Sequence, residues 1–525
     1  MTAIHTLGEL RASGYRVRPV KDEMRENLLA TLARGEKTFP GIHGYERTVI
    51  PAIHNAILSK HDIILLGLRG QAKTRILRSL TALLDERVPV IEGCEINDSP
   101  LAPTCKRCRR LAVEKGEDLP VAWIGREERY REKLATPDVT VADLVGDIDP
   151  IKAANQRLTY ADEEVIHYGI IPRTNRGIFA INELPDLAPR IQVALLNILE
   201  ERDLQIRGFP VRIPMDVVLV FSANPEDYTS RGNIITPLKD RIDSQILTHY
   251  PQSVETARRI TEQEAWLERD GAAKIEIPVY VRDLIEGIAF VARESDLVDQ
   301  SSGVSARLTI AAIELLQSNL ERRAALTGDT LVFPRLSDLS MVLPAITGKV
   351  EMVYEGEQQG AEVVARKLIS LALGKLFESK FPAIERAGIA QRAERRGYGD
   401  IDPDDLDDAF AGRRVKRKEP PREEPKPAPQ AEPAYDTILG WFAAGNKIMV
   451  SDEQPFAAYF AELNRVPALA DVARRYAKVS RDEELAFWME LVLEGLHQAL
   501  RLSREDLDST ITFHELLKFN VLRKV

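Results

Sequence analysis

The chain has 525 residues, 44% hydrophobic and 29% charged, with a formal net charge of −10. That length calls for roughly two to four domains, and the acidic balance argues against general nucleic-acid binding. No apolar run reaches membrane-span length, and the N-terminus lacks the charged-then-apolar layout of a secretion signal.

Residues 1–38 mix charged and apolar positions and predict a helical lead-in. Residues 39–251 carry short β-rich runs at Ile63–Leu66, Val88–Ile91, Ile178–Ile181, Val217–Phe221 and Ile246–Thr248, separated by helical patterns. One such helix is Arg190–Glu201, where Ile191, Ala194, Leu195, Ile198 and Leu199 share a face. Strands alternating with helices predict an α/β fold, a parallel sheet sandwiched by helices. Residues 252–397 turn helical, as in Ile310–Asn319 and Ala361–Phe377. Residues 398–435 run from acidic to basic and then into a Pro/Glu/Lys stretch. Too little apolar surface exists there to bury, so a disordered linker is expected. Residues 436–525 regain helical periodicity, with Phe456 and Phe460 spaced to share a face, and predict a separate helical domain.

The first chemical signal follows the Ile63–Leu66 run: Gly67-Leu68-Arg69-Gly70-Gln71-Ala72-Lys73-Thr74. A phosphate-binding loop needs small residues whose backbone N–H groups can wrap phosphates, a lysine for the outer phosphates and a hydroxyl for Mg²⁺. The usual pattern has glycine where Ala72 stands; alone, the stretch leaves open the plainer reading of a glycine-bearing strand-to-helix turn. The apolar run Gly177–Ile181 then ends in Asn182-Glu183, where a Walker B acid pair is expected. Glu183 suits a base that polarises water; Asn182 replaces an aspartate and brings no charge. Finally, Val217–Phe221 leads into Ser222-Ala223-Asn224-Pro225, whose asparagine can hold the attacking water or simply end a strand.

In combination these residues resemble the AAA+ family, in the branch holding MoxR proteins and the ATPase subunit of magnesium chelatase. The order matches: phosphate loop, Walker B, a helix ending Leu199-Glu200-Glu201-Arg202, a short hairpin, the Asn224 segment, then Leu238-Lys239-Asp240-Arg241. The Gly-x-Ala-Lys-Thr loop is similar to the MoxR version, and Phe39–Glu46 resembles the lead-in before the first strand. The resemblance covers roughly residues 38–345. It implies an ATPase whose residues 67–74 and Asn182 bind ATP, with Thr74 on Mg²⁺. It further implies Glu183 as base, Asn224 as the sensor that positions water, and Arg241 as an arginine finger reaching a neighbour's site. Ser305-Ala306-Arg307 would open a lid helix, with Arg307 as second sensor. A head-to-tail homo-oligomeric ring, most often a hexamer in the family, follows from a finger supplied in trans. The implied partner is a protein client, commonly one with a von Willebrand factor A domain, which this chain itself lacks.

Cys94, Cys105 and Cys108 lie in an insertion before Walker B. An odd, clustered set builds no disulfide framework and points to the cytoplasm. The Cys-x-x-Cys spacing suits zinc, with Asp98 or His167 as a fourth ligand; three reduced thiols are the alternative. Residues 203–214 read as a hairpin with Arg207 and Phe209 at its tip, either gripping a substrate or solvated. The basic cluster Arg413–Lys418 belongs to the linker. Three other functions compete with the motor: a magnesium or cobalt chelatase ATPase subunit, a transcription activator whose loop and helix-turn-helix signals are missing, and an ATP-gated scaffold with little turnover. Asn182 is the residue that keeps the scaffold open.

Overall fold

The computed structural model describes residues 4–156, 162–206, 212–224, 233–271, 273–384, 432–451, 453–507 and 510–516. Arg207 and Phe209, Pro225 and the linker up to residue 431 lie outside them. The chain divides into two compact units, Met1–Gln263 with Gln300–Ala306, and Glu264–Asp299 with Arg307–Val525.

The first unit opens with helices Leu7–Ala12, Val20–Ala33 and Val49–Leu58. β1 (Ile63–Leu66), helix Lys73–Ser79, β2 (Arg87–Ile91), helix Lys106–Lys115, β3 (Val121–Gly125), β4 (Tyr130–Leu134), β5 (Gly146–Ile148), β6 (Ile166–Tyr168) and β7 (Gly177–Asn182) follow. Helix Pro189–Glu200, β8 (Asp203–Gln205), β9 (Arg212–Pro214), β10 (Val217–Ala223), helix Thr236–Arg241 and β11 (Ser244–Leu247) complete the α/β part. Five of these strands form one parallel sheet in the order β11-β1-β10-β7-β4.

Strands β1, β7 and β10 are buried along their whole length, which explains their unbroken apolar runs. Alternate residues feed opposite faces. Ile64, Phe179, Ile181, Leu219 and Phe221 enter one core, together with Ile191, Leu195 and Ile198 of helix Pro189–Glu200. Ile63, Leu65, Ile178, Ala180, Val218 and Val220 enter the other, against Met24, Leu28, Ile53 and Ile76. β4 closes the sheet and is only partly buried, and its sequence Tyr-Arg-Glu-Lys-Leu carries charges, as befits an edge.

One ion pair is sealed beneath the sheet. Arg129 donates from both terminal nitrogens to the two Glu23 carboxylate oxygens at 2.7 Å each, and the two side chains are 1% and 4% exposed. Its Nε also donates to the Arg176 carbonyl at 2.7 Å. Removing one partner strands the other charge away from water. Glu23→Ala is therefore expected to cost about 3–5 kcal/mol of stability. Urea unfolding of the two proteins, compared at equal slope, checks it; a loss within error of zero would show that water reaches Arg129.

The second unit is mostly helical. Its long helices are Val279–Glu294, Arg307–Thr327, Ala361–Lys380 and Asp482–Gln498, with a two-strand parallel pair of β12 (Lys274–Ile275) and β13 (Leu331–Val332). Phe456 and Phe460 stack at 5.5 Å, as their spacing implied. The C-terminal stretch differs from its sequence reading in two respects. It adds a three-stranded antiparallel sheet to its helices, β14 (Ile448–Ser451), β15 (Leu502–Leu507) and β16 (Thr510–Glu515), in the order β14-β16-β15. It also shares a core with residues 264–384 instead of standing apart. Buried Glu490 accepts from Tyr459 Oη at 2.6 Å and from Leu336 N at 2.8 Å, and Arg335 donates to the Ser451 carbonyl at 2.8 Å. Trp488 packs on Tyr280 at 4.6 Å between ring centroids. These aromatic and polar contacts knit one larger unit. Residues 433–435, expected in the linker, begin helix Pro433–Ala443.

Candidate functional site

The C-terminal ends of β1, β7 and β10 lie side by side, and the residues that follow them converge. After β1 the loop turns on two glycines with no room for a side chain. A Cβ at Gly67 would sit 1.9 Å from Thr248 Oγ1, and one at Gly70, where φ is +74°, would sit 2.1 Å from Ser305 Oγ. Ala72, preceding helix Lys73–Ser79, is left-handed at φ 58°. That conformation costs an L-residue about 1–2 kcal/mol and explains why glycine is the usual occupant. The loop is held in spite of it. The Tyr45 hydroxyl, kept protonated by burial that pushes its pKa up to about 12, donates to the carbonyls of Gln71 (3.0 Å) and His249 (2.7 Å). Thr248 Oγ1 donates to Gln71 Oε1 at 2.6 Å, and Tyr250 Oη to the Arg69 carbonyl at 2.9 Å. Beside the loop, Ile42, His43, Tyr45, Ala72, His249 and Gln263 line a pocket.

Lys73, buried at 6% exposure, directs its ammonium to the Gly67 carbonyl, the Leu68 carbonyl (3.0 Å) and Asn224 Oδ1 (2.6 Å). Thr74 Oγ1 donates to Asn182 Oδ1 at 3.3 Å, and Ser222 Oγ donates to the same oxygen at 3.1 Å. Glu183 takes a left-handed turn at φ 56°, ψ 50°, directly after β7. Its N–H points to Ser222 Oγ at 3.4 Å, and its Oε2 accepts from Asn224 Nδ2 at 2.9 Å. Asn224 therefore bridges ammonium and carboxylate with opposite ends of one amide. A strained non-glycine turn at the carboxylate is the kind of feature that concentrates at working sites.

The structure thus brings together Gly67, Leu68, Gly70, Gln71, Ala72, Lys73, Thr74, Asn182, Glu183 and Asn224. Ser222 was not singled out from sequence, although it stands two residues before Asn224 and ties β10 to β7. The donor set suits a metal-bound polyphosphate: a lysine, a threonine hydroxyl and an amide oxygen lie within one cluster. Arg241 stands elsewhere, at the end of helix Thr236–Arg241, donating to Glu200 Oε2 at 2.6 Å with about a third of its side chain exposed (31%). Arg307 opens helix Arg307–Thr327 in the second unit and is exposed.

Cys94, Asp98, Cys105 and Cys108 form a second cluster, with their ligand atoms all within 4.8 Å of one another. Hydrogen bonds among the three sulfurs pull the Cys94 thiol below its ordinary range and push the Cys105 thiol above it. His167, the other candidate fourth ligand, lies exposed on β6 and is not part of the group.

Residues 123–242 match the AAA domain of the dynein-related subfamily. The chain is 27% identical over 233 residues to the magnesium-chelatase subunit ChlI homolog of Methanocaldococcus jannaschii, covering 43% of this chain and 59% of that protein. It is 27% identical over 202 residues to the magnesium-chelatase 67 kDa subunit of Heliobacterium mobile, covering 38% and 29%. It is 26% identical over 205 residues to the magnesium-chelatase 38 kDa subunit of Acidiphilium rubrum, covering 38% and 55%. The match therefore leaves a large part of each relative unspanned.

Proposed function

From the premise that this chain carries an AAA+ ATPase domain, of the branch that includes magnesium-chelatase subunits, we propose that it hydrolyses ATP within a homo-oligomeric ring and spends each cycle remodelling a protein partner in the cytoplasm. The observation that supports this reading is the convergence of Lys73, Thr74, Asn182, Glu183 and Asn224 at adjoining strand ends. A client with a von Willebrand factor A domain fits the MoxR resemblance. No helix among the described residues is long and apolar enough to cross a membrane.

The loop N–H groups and Lys73 would hold the β- and γ-phosphates, and the pocket beside Tyr45 would receive the base. Thr74 and Asn182 would hold Mg²⁺, which when bound neutralises charge between those phosphates. Lys73 would exchange its carbonyl and Asn224 contacts for phosphate oxygens. Asn224, released from the lysine, keeps its amide nitrogen on Glu183 and can orient water toward the γ-phosphate. Glu183 takes that water's proton. Arg241 from a neighbour would steady the charge on the transferring group.

Steady-state ATP hydrolysis with Mg²⁺, followed against protein concentration beside Lys73→Ala, tests the reading. Turnover that rises cooperatively with concentration and disappears in Lys73→Ala is expected. ATP binding without turnover would favour the second reading, an ATP-gated scaffold, for which Asn182 is the specific observation. The same assay probes that residue directly. A hydrogen bond to a charged acceptor contributes roughly 1 kcal/mol more than a neutral one, so Asn182→Asp is expected to lower the Mg²⁺ concentration for half-maximal turnover about five- to tenfold. An unchanged Mg²⁺ dependence would remove Asn182 from the ion's surroundings. Similarity to magnesium-chelatase subunits supports one more reading, the ATPase subunit of a magnesium or cobalt chelatase, which would use the same motor on a different partner.

A further inference from the structure

We propose that Cys94, Asp98, Cys105 and Cys108 bind a single zinc ion that staples the 92–118 insertion to the core under the nucleotide sheet. The chain gathers four ligands from two short segments. Cys94 follows β2, and the backbone then reverses through left-handed Asn97 (φ 53°), which returns Asp98 toward Cys94. The Ile91 N–H donates to the Asp98 carbonyl at 3.0 Å and fixes that return. Cys105 caps helix Lys106–Lys115, and Cys108 lies one turn on, the spacing that lets both sulfurs face one point.

The surroundings are those of a ligand set and not of three idle thiols. The Asp98 N–H points to Cys94 Sγ and the Cys108 N–H to Cys105 Sγ, each at 3.4 Å, so backbone dipoles already favour negative sulfur. Asp98 is 1% exposed, and its carboxylate is aimed by the N–H groups of Thr104 (3.0 Å) and Cys105 (2.9 Å). Among the described residues no lysine, arginine or histidine forms an ion pair with it. Its Oδ1 accepts from the Thr104 hydroxyl at 2.5 Å, so three hydrogen bonds fix the carboxylate in place and a cation would supply the counter-charge they do not. Cys105 and Cys108 are buried too, at 6% and 0%.

The dimensions choose the ion. Four ligand atoms within 4.8 Å of one another can close on one centre. A tetrahedral zinc with Zn–S near 2.3 Å needs sulfurs about 3.8 Å apart, a small inward adjustment. An iron–sulfur cluster would hold its thiolates much further apart. Four protein ligands fill a tetrahedron and leave no open position, so the site is structural, not catalytic. Its neighbours say what it holds together. Cys105, Cys108 and Ile96 belong to the core that carries Phe179 and Phe221, and Asn175 joins the Ile96 carbonyl (3.0 Å) to the Asp216 N–H (2.9 Å) just before β10.

The test uses the full chain, grown with added zinc and washed with EDTA before elemental analysis. About one zinc per chain is expected, with cobalt substitution giving thiolate-to-cobalt charge-transfer absorption. In competition with a chromophoric chelator, Asp98→Asn is expected to bind zinc at least about tenfold more weakly, and Cys108→Ser more weakly still. Less than about a tenth of a zinc per chain, with all three thiols of the folded protein open to Ellman's reagent, would overturn the site. Stoichiometric iron would overturn the choice of ion, and an Asp98→Asn affinity equal to wild type would overturn the fourth ligand. Metal content is read on the unmodified protein, so the outcome stands even where a variant fails to fold.

Discussion

Glu183→Gln is expected to slow ATP turnover about a hundred- to ten-thousandfold while leaving ATP affinity near its original value. The substitution keeps the size of the side chain and an oxygen able to accept from Asn224 Nδ2, which lies 2.9 Å from Glu183 Oε2. What it removes is the capacity to take a proton from water. Lys73, Thr74 and the loop are untouched, so the phosphate contacts persist. The paired measurement is single-turnover hydrolysis beside equilibrium binding of a fluorescent ATP analogue. Equal losses in both would mean that Glu183 supports the loop and is not the base. Undiminished turnover would place the base elsewhere.

Arg241→Ala is expected to reduce turnover about 10³–10⁵-fold, the range found when an arginine finger is withdrawn from phosphoryl transfer. Arg241 is tied to Glu200 at 2.6 Å, at the end of a helix and partly exposed, so its loss carries little penalty for the fold. A finger working in trans makes a sharper demand. Mixed with Lys73→Ala subunits, Arg241→Ala subunits should regain activity, because intact nucleotide sites then meet intact arginines across an interface. Two inactive proteins that stay inactive when mixed, under conditions where subunits exchange, would argue that Arg241 serves only its own chain.

Much of the site was legible because its motifs sit where sterics leave little choice. β1, β7 and β10 are buried on both faces, so they read as plain apolar runs, and the polar residues ending each run announced themselves. β4 did not. As an edge strand it keeps Arg131, Glu132 and Lys133, and only its pairing with β7 makes it a strand. β15, Leu-Ser-Arg-Glu-Asp-Leu, was hidden for a similar reason. Its Arg504 is matched by Glu494, from a helix, and by Asp506 two residues on, a compensation invisible along the sequence. Ser222 carries no role legible along the sequence, because a serine near a strand end is ordinary until Asn182 lies 3.1 Å away. The spacing of the cysteines offered three ligands and two contenders for a fourth. The left-handed turn at Asn97, a tertiary detail, is what brings Asp98 and not His167 beside the three sulfurs.

The chain passes between its two compact units three times, after Gln263, after Asp299 and after Ala306. The seven residues Gln300–Ala306, returned to the nucleotide-binding unit by the last two passages, include the Ser305 whose hydroxyl occupies the space a side chain at Gly70 would need. Neither unit is therefore a continuous piece of the gene. A fragment ending at Gln263 would lack the partner that shapes its own phosphate loop, and recombination between relatives anywhere in 264–306 would have to bring that heptapeptide along with the loop it fits.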